Sequence, residues 1–399
     1  MTKKNRTLLI VLGVIAVALV AAGIVVATNW NRPLGTALAL STRTSVPSLA
    51  TASPTTSPTE AATDSAPTAA PTETLVTIPT FTATPAPVCG DTRLLYFLVA
   101  GVGDMDTTYS YGVTDVIRVV RVDFVTPKVS VLTLPRDLLV ELPNTTDSRG
   151  NVLTEGKLNQ AYFFGSPNMN YYKGPGNGFG SLAETIATNF DLYVDHYGIV
   201  NMQVFIDMIN AMGGLDIWLP QFVDGRPEGE ESFDLDKSQG FFDQGWNHMT
   251  GKDALSFVRI RARTSEKART ENQTLLICAL KDQLSQPKII GTIPKMVSSL
   301  LKNTQTDLSP AQISDLACLL PKLNSENLQF VSMSFKGKDN PNGLLEADYA
   351  HIANMDGESY VYTYDPATIK AFIDKFENDE LEPAVDDGTG SCLVPPTRP

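Results

Sequence analysis

The sequence predicts an α/β fold with a mixed central β-sheet flanked by helices on both faces, preceded by an N-terminal transmembrane helix. Three observations support this prediction. A long uncharged apolar run opens the chain, a stretch rich in Ser, Thr and Pro follows it, and short apolar runs then alternate with segments of helical spacing. Because no linker-like break interrupts this last region, we expect a single domain at residues 88–376.

The N-terminus has the pattern of a membrane anchor. Residues 1–6 carry three basic side chains, and the uncharged run at 7–29 is long enough to cross a hydrocarbon core of ~30 Å. The basic flank favours a cytoplasmic N-terminus and an extracytoplasmic domain, so we expect a single-pass cell-membrane protein. The alternative is a cleaved signal peptide, with a cleavage site at Ala37-Leu38-Ala39. Because signal-peptide cores span roughly 7–15 residues, the longer run favours an uncleaved anchor.

Two further segments flank the predicted domain. Residues 30–87 have few large apolar side chains, so we expect a disordered tether that lifts the domain away from the bilayer. Residues 377–399 form an acidic tail that we expect to be solvated, apart from Cys392.

Periodicity predicts the elements of the domain in order. Strands are predicted at 94–101, 115–123, 129–134, 196–202, 215–219, 328–335 and 360–364. Helices are predicted at 157–164, 181–190, 203–212, 252–257, 268–284, 291–301, 310–323 and 366–376. Strands and helices interleave, which is typical of an α/β sheet.

Four cysteines follow the predicted anchor: Cys89, Cys278, Cys318 and Cys392. An even number in an oxidising compartment favours two disulfides, for which three pairings exist. Cys278 and Cys318 lie in amphipathic helical patterns that could pack together, while Cys89 and Cys392 bracket the domain. Four unpaired thiols are the alternative.

Composition argues against several classes of site. The formal net charge of −13 does not suit a nucleic-acid partner, although a local arginine cluster could still bind an anionic head group. Three isolated histidines argue against a histidine-based zinc site or a nucleophile–histidine pair.

Several arginines occupy positions that a core does not favour. An extended Val258–Arg261 segment would send Arg259 and Arg261 to one face. Arg269 and Gln273 are four apart in a helical pattern and share a face, and Arg136 follows a strand in LPRD. Guanidinium forks match phosphate oxygens, so the pattern indicates a phosphorylated ligand. A solvated arginine-rich edge is the alternative.

Carboxylates precede the second strand. Asp115 begins this strand, and Asp104 and Asp106 lie in the loop before it. Carboxylates opposite arginines suit a Mg²⁺ ion that bridges phosphates, although Asp also serves often in turns and caps.

Two short motifs carry less weight. Asp234-Leu235-Asp236 resembles a glycosyltransferase metal motif but lies in an acidic loop. The glycine-rich stretch at 174–180 lacks the Lys-Ser/Thr of a P-loop, so we interpret it as a mobile loop.

The ordered motifs resemble the LytR–CpsA–Psr family. They are LLYFLVAGVGD, Thr114-Asp115, LPRD, GKLNQAY, VDHYGIVN, a Gly-Gly pair before a short strand, MTGKDALSFVRIR and ARTENQ, over residues 94–284. The resemblance implies a mixed sheet flanked by helices, with a polyprenyl pyrophosphate in an apolar tunnel. It also implies transfer of a phospho-glycopolymer from this lipid carrier to a peptidoglycan hydroxyl or another cell-wall acceptor.

The family motifs assign roles by position. Asp115 and Asp104 would hold Mg²⁺, and together with Arg136 they would form the catalytic group. The predicted pyrophosphate ligands are Arg136, Arg259, Arg261, Arg269, Gln273 and Lys157.

The chain departs from the family pattern at several positions. Val113 and Asn272 stand where the family has arginines, and Asp104 matches only with a one-residue slip. In a regular strand Arg118 would lie on the face opposite Asp115 and could not replace the missing arginine. We therefore predict a phosphotransferase, with a non-catalytic binding module for lipid-linked glycans as the alternative. A transcriptional regulator is disfavoured because the domain would lie across the membrane from DNA.

Overall fold

The computed structural model describes residues 30–38, 85–103, 109–225, 240–260, 266–284, 286, 304–323, 327–338, 340–352, 355 and 357–381. In these ranges, no helix combines the length and apolar character needed to cross a membrane. The predicted anchor at 7–29 and the predicted helix at 291–301 lie outside the described residues.

The strands and helices interleave as predicted. The strands are β1 (Leu94–Val102), β2 (Thr114–Asp123), β3 (Lys128–Thr133), β4 (Leu139–Glu141), β5 (Glu155–Lys157), β6 (His196–Asn201), β7 (Leu215–Leu219), β8 (Val223–Asp224), β9 (Phe241–Phe242), β10 (Gly245–Met249), β11 (Gln305–Thr306), β12 (Leu328–Ser332), β13 (Leu345–His351) and β14 (Glu358–Tyr364). The helices are α1 (Leu158–Gly165), α2 (Asn177–Phe190), α3 (Met202–Ala211), α4 (Gly251–Arg259), α5 (Glu266–Leu284), α6 (Pro310–Leu319) and α7 (Pro366–Glu377).

The central sheet has six strands in the order β11-β6-β1-β2-β3-β12. Strand β1 pairs antiparallel with β2 and parallel with β6, so the sheet is mixed, as predicted. Strand β12 pairs parallel with β3 at the far edge. This order places the carboxyl ends of β1 and β6 side by side, next to the beginning of β2.

Both faces of the sheet carry helices. On one face, Leu98 and Ile117 pack with Leu182 of α2 and Ile369 of α7. The opposite face packs Leu95 and its neighbours against α6. Burial of apolar surface at roughly 25 cal/mol per Å² on both faces accounts for a large part of the fold's stability.

A β-bulge interrupts the pairing of β1 with β2 at the start of β2. Gly101 lies opposite Val116 and Val102 opposite Thr114, which leaves Asp115 as the extra residue. An extra residue shifts the alternation of side chains between faces. The expectation of a regular strand was therefore wrong here, with consequences for the functional site.

The glycine-rich stretch does not form a mobile loop along its whole length. Helix α2 begins at Asn177 and includes Gly178 and Gly180. A Cβ atom at Gly178 would lie 2.7 Å from the Tyr162 ring, and one at Gly180 would lie 1.7 Å from the Pro175 carbonyl oxygen. These glycines allow close packing at the start of the helix.

A disulfide bond joins Cys89 to Cys318, with 6.0 Å between their Cα atoms. Of the pairings that the sequence left open, this bond excludes Cys278 with Cys318 and Cys89 with Cys392. Cys278 is also disulfide-bonded. Cys89 and Cys278 share an apolar cluster with Leu319 of α6, so the sheet face brings together cysteines that are far apart in sequence.

Residues 30–38 lie on the domain. The Leu34 amide donates to the Leu308 carbonyl at 3.1 Å, and the Tyr197 hydroxyl donates to the Thr36 carbonyl at 3.0 Å. This part of the predicted tether therefore packs beside α6 and β6.

Candidate functional site

A pocket of about 350 Å³ opens where β1 and β2 meet helices α3, α4 and α5. Its apolar lining consists of Val99, Val102, Val116, Val200, Met202, Phe205, Leu255, Val258, Leu276 and Ile277. Its polar lining consists of Asp115, Arg118, Arg136, Asn201, Arg259, Arg269 and Gln273. Apolar walls with a few convergent polar groups are typical of ligand sites.

One end of the pocket gathers Asp115, Arg136, Arg269 and Gln273, whereas Arg118 lies further back, opposite Val99. Asp115 borders the Gly103 end of β1, whereas the apolar Val99 lies further back along that strand. On α5, Arg269 and Gln273 precede the apolar Leu276 in the lining. The pocket therefore suits a ligand with an anionic head and a hydrocarbon tail.

Arg136 and Asp115 form an ion pair at the polar end. The Arg136 Nε atom also contacts Asp137 Oδ2 at 3.1 Å. Burial alone would lower the pKa of the Arg136 guanidinium, but the charges of Asp137 and Asp115 raise this pKa above its ordinary value. Arg136 therefore stays cationic and is held in place at the pocket.

Four of the predicted ligands come together. A smaller cavity of about 20 Å³ is also lined by Asp115, Arg136, Arg269 and Gln273. The prediction that Arg269 and Gln273 share one face of a helix is confirmed, since both line the same pocket from α5.

Lys157 does not line the pocket. Its Nζ atom binds Asp137 Oδ1 at 3.1 Å, and Asp137 in turn contacts Arg136. The Asn159 amide donates to the Arg136 carbonyl at 3.0 Å. The GKLN segment therefore supports the loop that carries Arg136.

Arg259 lines the pocket from the last turn of α4. The prediction of an extended backbone at Val258 and Arg259 was wrong, because helix α4 continues through both residues. A cation suits this position because the carboxyl end of a helix carries a partial negative charge. Arg261, Asp104 and Asp106 lie outside the described residues, as do Asp234 and Asp236.

Asn272, where the resemblance implies an arginine, does not line the pocket. Its Nδ2 atom donates to the Phe257 carbonyl at 3.4 Å, so it joins α5 to α4. Asn272 is buried and does not contribute to the pocket lining.

Arg118 is the site residue that strand periodicity missed. The bulge at Asp115 brings Arg118 into the pocket, with only 2% of its surface exposed. Burial lowers the pKa of its guanidinium to about 10, so it remains charged at neutral pH. The available sequence signal was an arginine within the otherwise apolar pattern of DVIRVV.

The charges of the described lining favour an anion. Four guanidinium groups face one carboxylate, a balance of +3. Among the residues that the structure describes, no group of three or more His, Cys, Asp or Glu side chains could hold a metal ion. A Cβ atom at Gly103 would lie 2.6 Å from Asp115 Oδ2, so this oxygen faces the chain just before Asp104. Because Mg²⁺ is usually bound through one or two carboxylates, Asp115 fits the role of one Mg²⁺ ligand.

The LytR_cpsA_psr family model matches residues 60–359. This chain belongs to the LytR–CpsA–Psr family. Several of the motifs that resemble this family, such as LPRD and ARTENQ, contribute residues to the pocket lining.

Similar proteins include two named transferases. The Bacillus subtilis polyisoprenyl-teichoic acid–peptidoglycan teichoic acid transferase TagV is 28% identical over 213 residues, covering 53% of this chain and 49% of the relative. A TagU of the same description from Halalkalibacterium halodurans is 26% identical over 214 residues, covering 53% of this chain and 60% of the relative. The chain thus matches about half to three-fifths of the length of these relatives.

The fold also resembles a solved structure. The crystal structure of B. subtilis TagV superimposes with a TM-score of 0.53 and 24% identity, covering 72% of this chain and 97% of that chain. This likeness supports the mixed α/β architecture.

Proposed function

We propose that the domain binds a polyprenyl-pyrophosphate-linked glycan and transfers its phospho-glycopolymer to a hydroxyl of peptidoglycan or another cell-wall acceptor. The observation that carries the proposal is the pocket, which combines apolar walls with four guanidinium groups around one carboxylate. The names of the relatives support it, because they describe a polyisoprenyl-linked polymer and a peptidoglycan acceptor.

In the proposed reaction, the acceptor oxygen bonds to the glycan-side phosphorus, and the bond from this phosphorus to the bridging oxygen breaks. The polyprenyl monophosphate leaves with that oxygen. The hydroxyl proton passes to a carboxylate in the chain between β1 and β2, either Asp104 or Asp106. Phosphoryl transfer depends mainly on positioning and charge stabilisation, so the arginines carry most of the catalysis.

Each charged residue has a separate part in this scheme. Arg136, held by Asp115 and Asp137, stabilises negative charge that builds on the phosphate oxygens. Arg269 and Arg259 approach the same space from α5 and α4. Asp115 and Asp104 would hold Mg²⁺, which when bound neutralises pyrophosphate charge.

We further propose that residues 7–29 anchor the chain in the cell membrane with the domain outside. The packed segment 30–38 begins directly after this anchor. The docked segment would then keep the domain close to the bilayer, where a lipid-linked donor is available. This arrangement differs from a tether that lifts the whole domain away.

The test uses the full chain in detergent with Mg²⁺, a polyprenyl-pyrophosphate-linked disaccharide and a peptidoglycan fragment. Release of polyprenyl monophosphate together with a phosphodiester product is expected. Arg136→Ala should lower the rate by roughly 10²–10³-fold, as for other charge-stabilising donors. Arg149→Ala, at an exposed turn residue that does not line the pocket, serves as the control. The mechanism would be overturned if Asp115→Ala and Arg136→Ala both turned over at the wild-type rate.

A second candidate is a binding module without catalysis. Val113 and Asn272 favour it, because both replace family arginines and Asn272 instead joins two helices. This candidate predicts that the lipid-linked donor binds tightly and stays intact when Mg²⁺ and acceptor are added.

A further inference from the structure

Arg118 places a guanidinium group beside the apolar part of the pocket. It lies opposite Val99 on β1, two residues before Gly101 along that strand. Val116, opposite Gly101, separates it from Asp115 along β2. Arg118 therefore stands behind the ion pair of Asp115 and Arg136, towards the apolar end.

The hydrogen bonds of Arg118 leave most of its donors unused. Its Nη2 atom donates to Gln273 Oε1 at 3.2 Å. In the described part of the chain, its buried Nε and Nη1 atoms have no hydrogen-bond partner. Buried polar groups in native proteins are nearly always paired, and an unpaired buried cation is costly, so these two donors point to a missing anionic partner.

Neighbouring groups indicate where this partner would sit. Gln273 Nε2 donates to the Val258 carbonyl at 3.4 Å, which orients its Oε1 towards Arg118. Leu276 and Ile277 follow on α5 and line the pocket with Val99. An anion bound to Arg118 would thus lie directly beside hydrocarbon.

We infer that Arg118 and Gln273 form an inner anion subsite that binds the phosphate next to the lipid chain of a prenyl pyrophosphate. The outer phosphate would then face Arg136 and Arg259. This inference rests on the proposed function and deepens it. Arg118 thus provides the pocket with a guanidinium group, which Val113 cannot provide.

Two phosphate positions have a consequence for ligand choice. A prenyl monophosphate can fill one subsite only, whereas a pyrophosphate fills both. Bidentate guanidinium–phosphate contacts are strong and directional, so the chain should prefer the pyrophosphate. Loss of Arg118 should reduce this preference and leave a more apolar wall.

The test measures binding to the full chain in detergent without acceptor. The probes are farnesyl pyrophosphate, farnesyl monophosphate and uncharged farnesol. Variants are Arg118→Met, Arg118→Lys and the control Arg121→Met. Arg121 lies on the same strand and is also buried, but its Nε atom donates to the Glu377 carbonyl at 3.0 Å and it does not line the pocket.

Arg118→Met should weaken farnesyl pyrophosphate binding by about tenfold or more, with farnesol binding unchanged or tighter. Arg118→Lys should restore part of the affinity because it keeps a charge without the planar fork. Arg121→Met should stay within about twofold of wild type.

Pyrophosphate affinity in Arg118→Met within about twofold of wild type would overturn the inner subsite. Equal weakening of all three probes would also overturn it, because this result indicates a distorted pocket. A wild-type chain that binds none of the probes contradicts the proposed function itself, and this outcome is distinguishable from the other two.

Discussion

The guanidinium of Arg118 donates a hydrogen bond to Gln273 Oε1 at 3.2 Å, across 155 positions of sequence. Gln273 in turn donates to the Val258 carbonyl at 3.4 Å. These two bonds connect β2, α5 and α4, three walls of the pocket. Arg118 therefore helps to hold the walls of the pocket together and also places a positive charge inside it. Experiments can separate these two roles.

Replacing Arg118 with Met should stabilise the folded protein. The cation is buried and burial lowers its pKa to about 10, so at pH 7 the fold bears the cost of a poorly solvated charge. Apolar replacement of buried charged groups often stabilises proteins by roughly 1–4 kcal/mol. We expect a free energy of unfolding about 1–3 kcal/mol higher, measured by urea titration at pH 7.

The pH dependence of this gain has a definite sign. Burial holds the folded-state pKa of Arg118, about 10, below its ordinary value, so above this pH the unfolded chain binds more protons than the folded chain. The wild type therefore regains stability relative to Arg118→Met as pH rises through about 10. A variant that is less stable than wild type at pH 7 would contradict the prediction.

Asp115→Asn should change the dependence of turnover on Mg²⁺. The carboxylate contacts Arg136 through one oxygen and faces Gly103 with the other. An amide keeps the shape but loses the charge that attracts a hard cation. We expect the Mg²⁺ concentration for half-maximal turnover to rise by about tenfold or more. Asp147→Asn, in an exposed turn, is the control, and an unchanged Mg²⁺ dependence would remove Asp115 from the metal site.

The Cys89–Cys318 disulfide should contribute to stability by restricting the unfolded chain. It joins residues 229 apart in sequence, and disulfides typically contribute about 2–4 kcal/mol. The double variant Cys89→Ser with Cys318→Ser should therefore melt at a lower temperature. Peptide mapping of the unreduced wild type should recover Cys89 linked to Cys318. Recovery of Cys278 linked to Cys318 would contradict the structure.

The segment at 30–38 should stabilise the domain to which it is docked. Besides its other contacts, the Ala311 amide donates to the Trp30 carbonyl at 3.0 Å, and Leu38 packs against the main core. Each backbone hydrogen bond contributes roughly 1 kcal/mol net. A chain that lacks residues 1–38 should melt several degrees below one that lacks 1–29. Equal melting temperatures would show that the contact adds nothing.

Local patterns in the sequence determined much of the fold and part of the site. Apolar periodicity predicted β1, β2 and β3 within two residues, since strand and helix repeats depend only on neighbouring positions. The same reasoning placed Arg269 and Gln273 on one face of α5, and the ordered motifs identified the family, which the family model confirms.

Only the tertiary structure decided features that depend on distant partners. The bulge at Asp115 arises from pairing with β1, and it brings Arg118 into the pocket against the regular alternation of a strand. Cys89 pairs with Cys318 because α6, which carries Cys318, packs on the sheet face that holds Cys89. Periodicity records which face a residue would take in a regular element. It does not record the register between strands or which distant side chains meet, because packing across the sheet sets both.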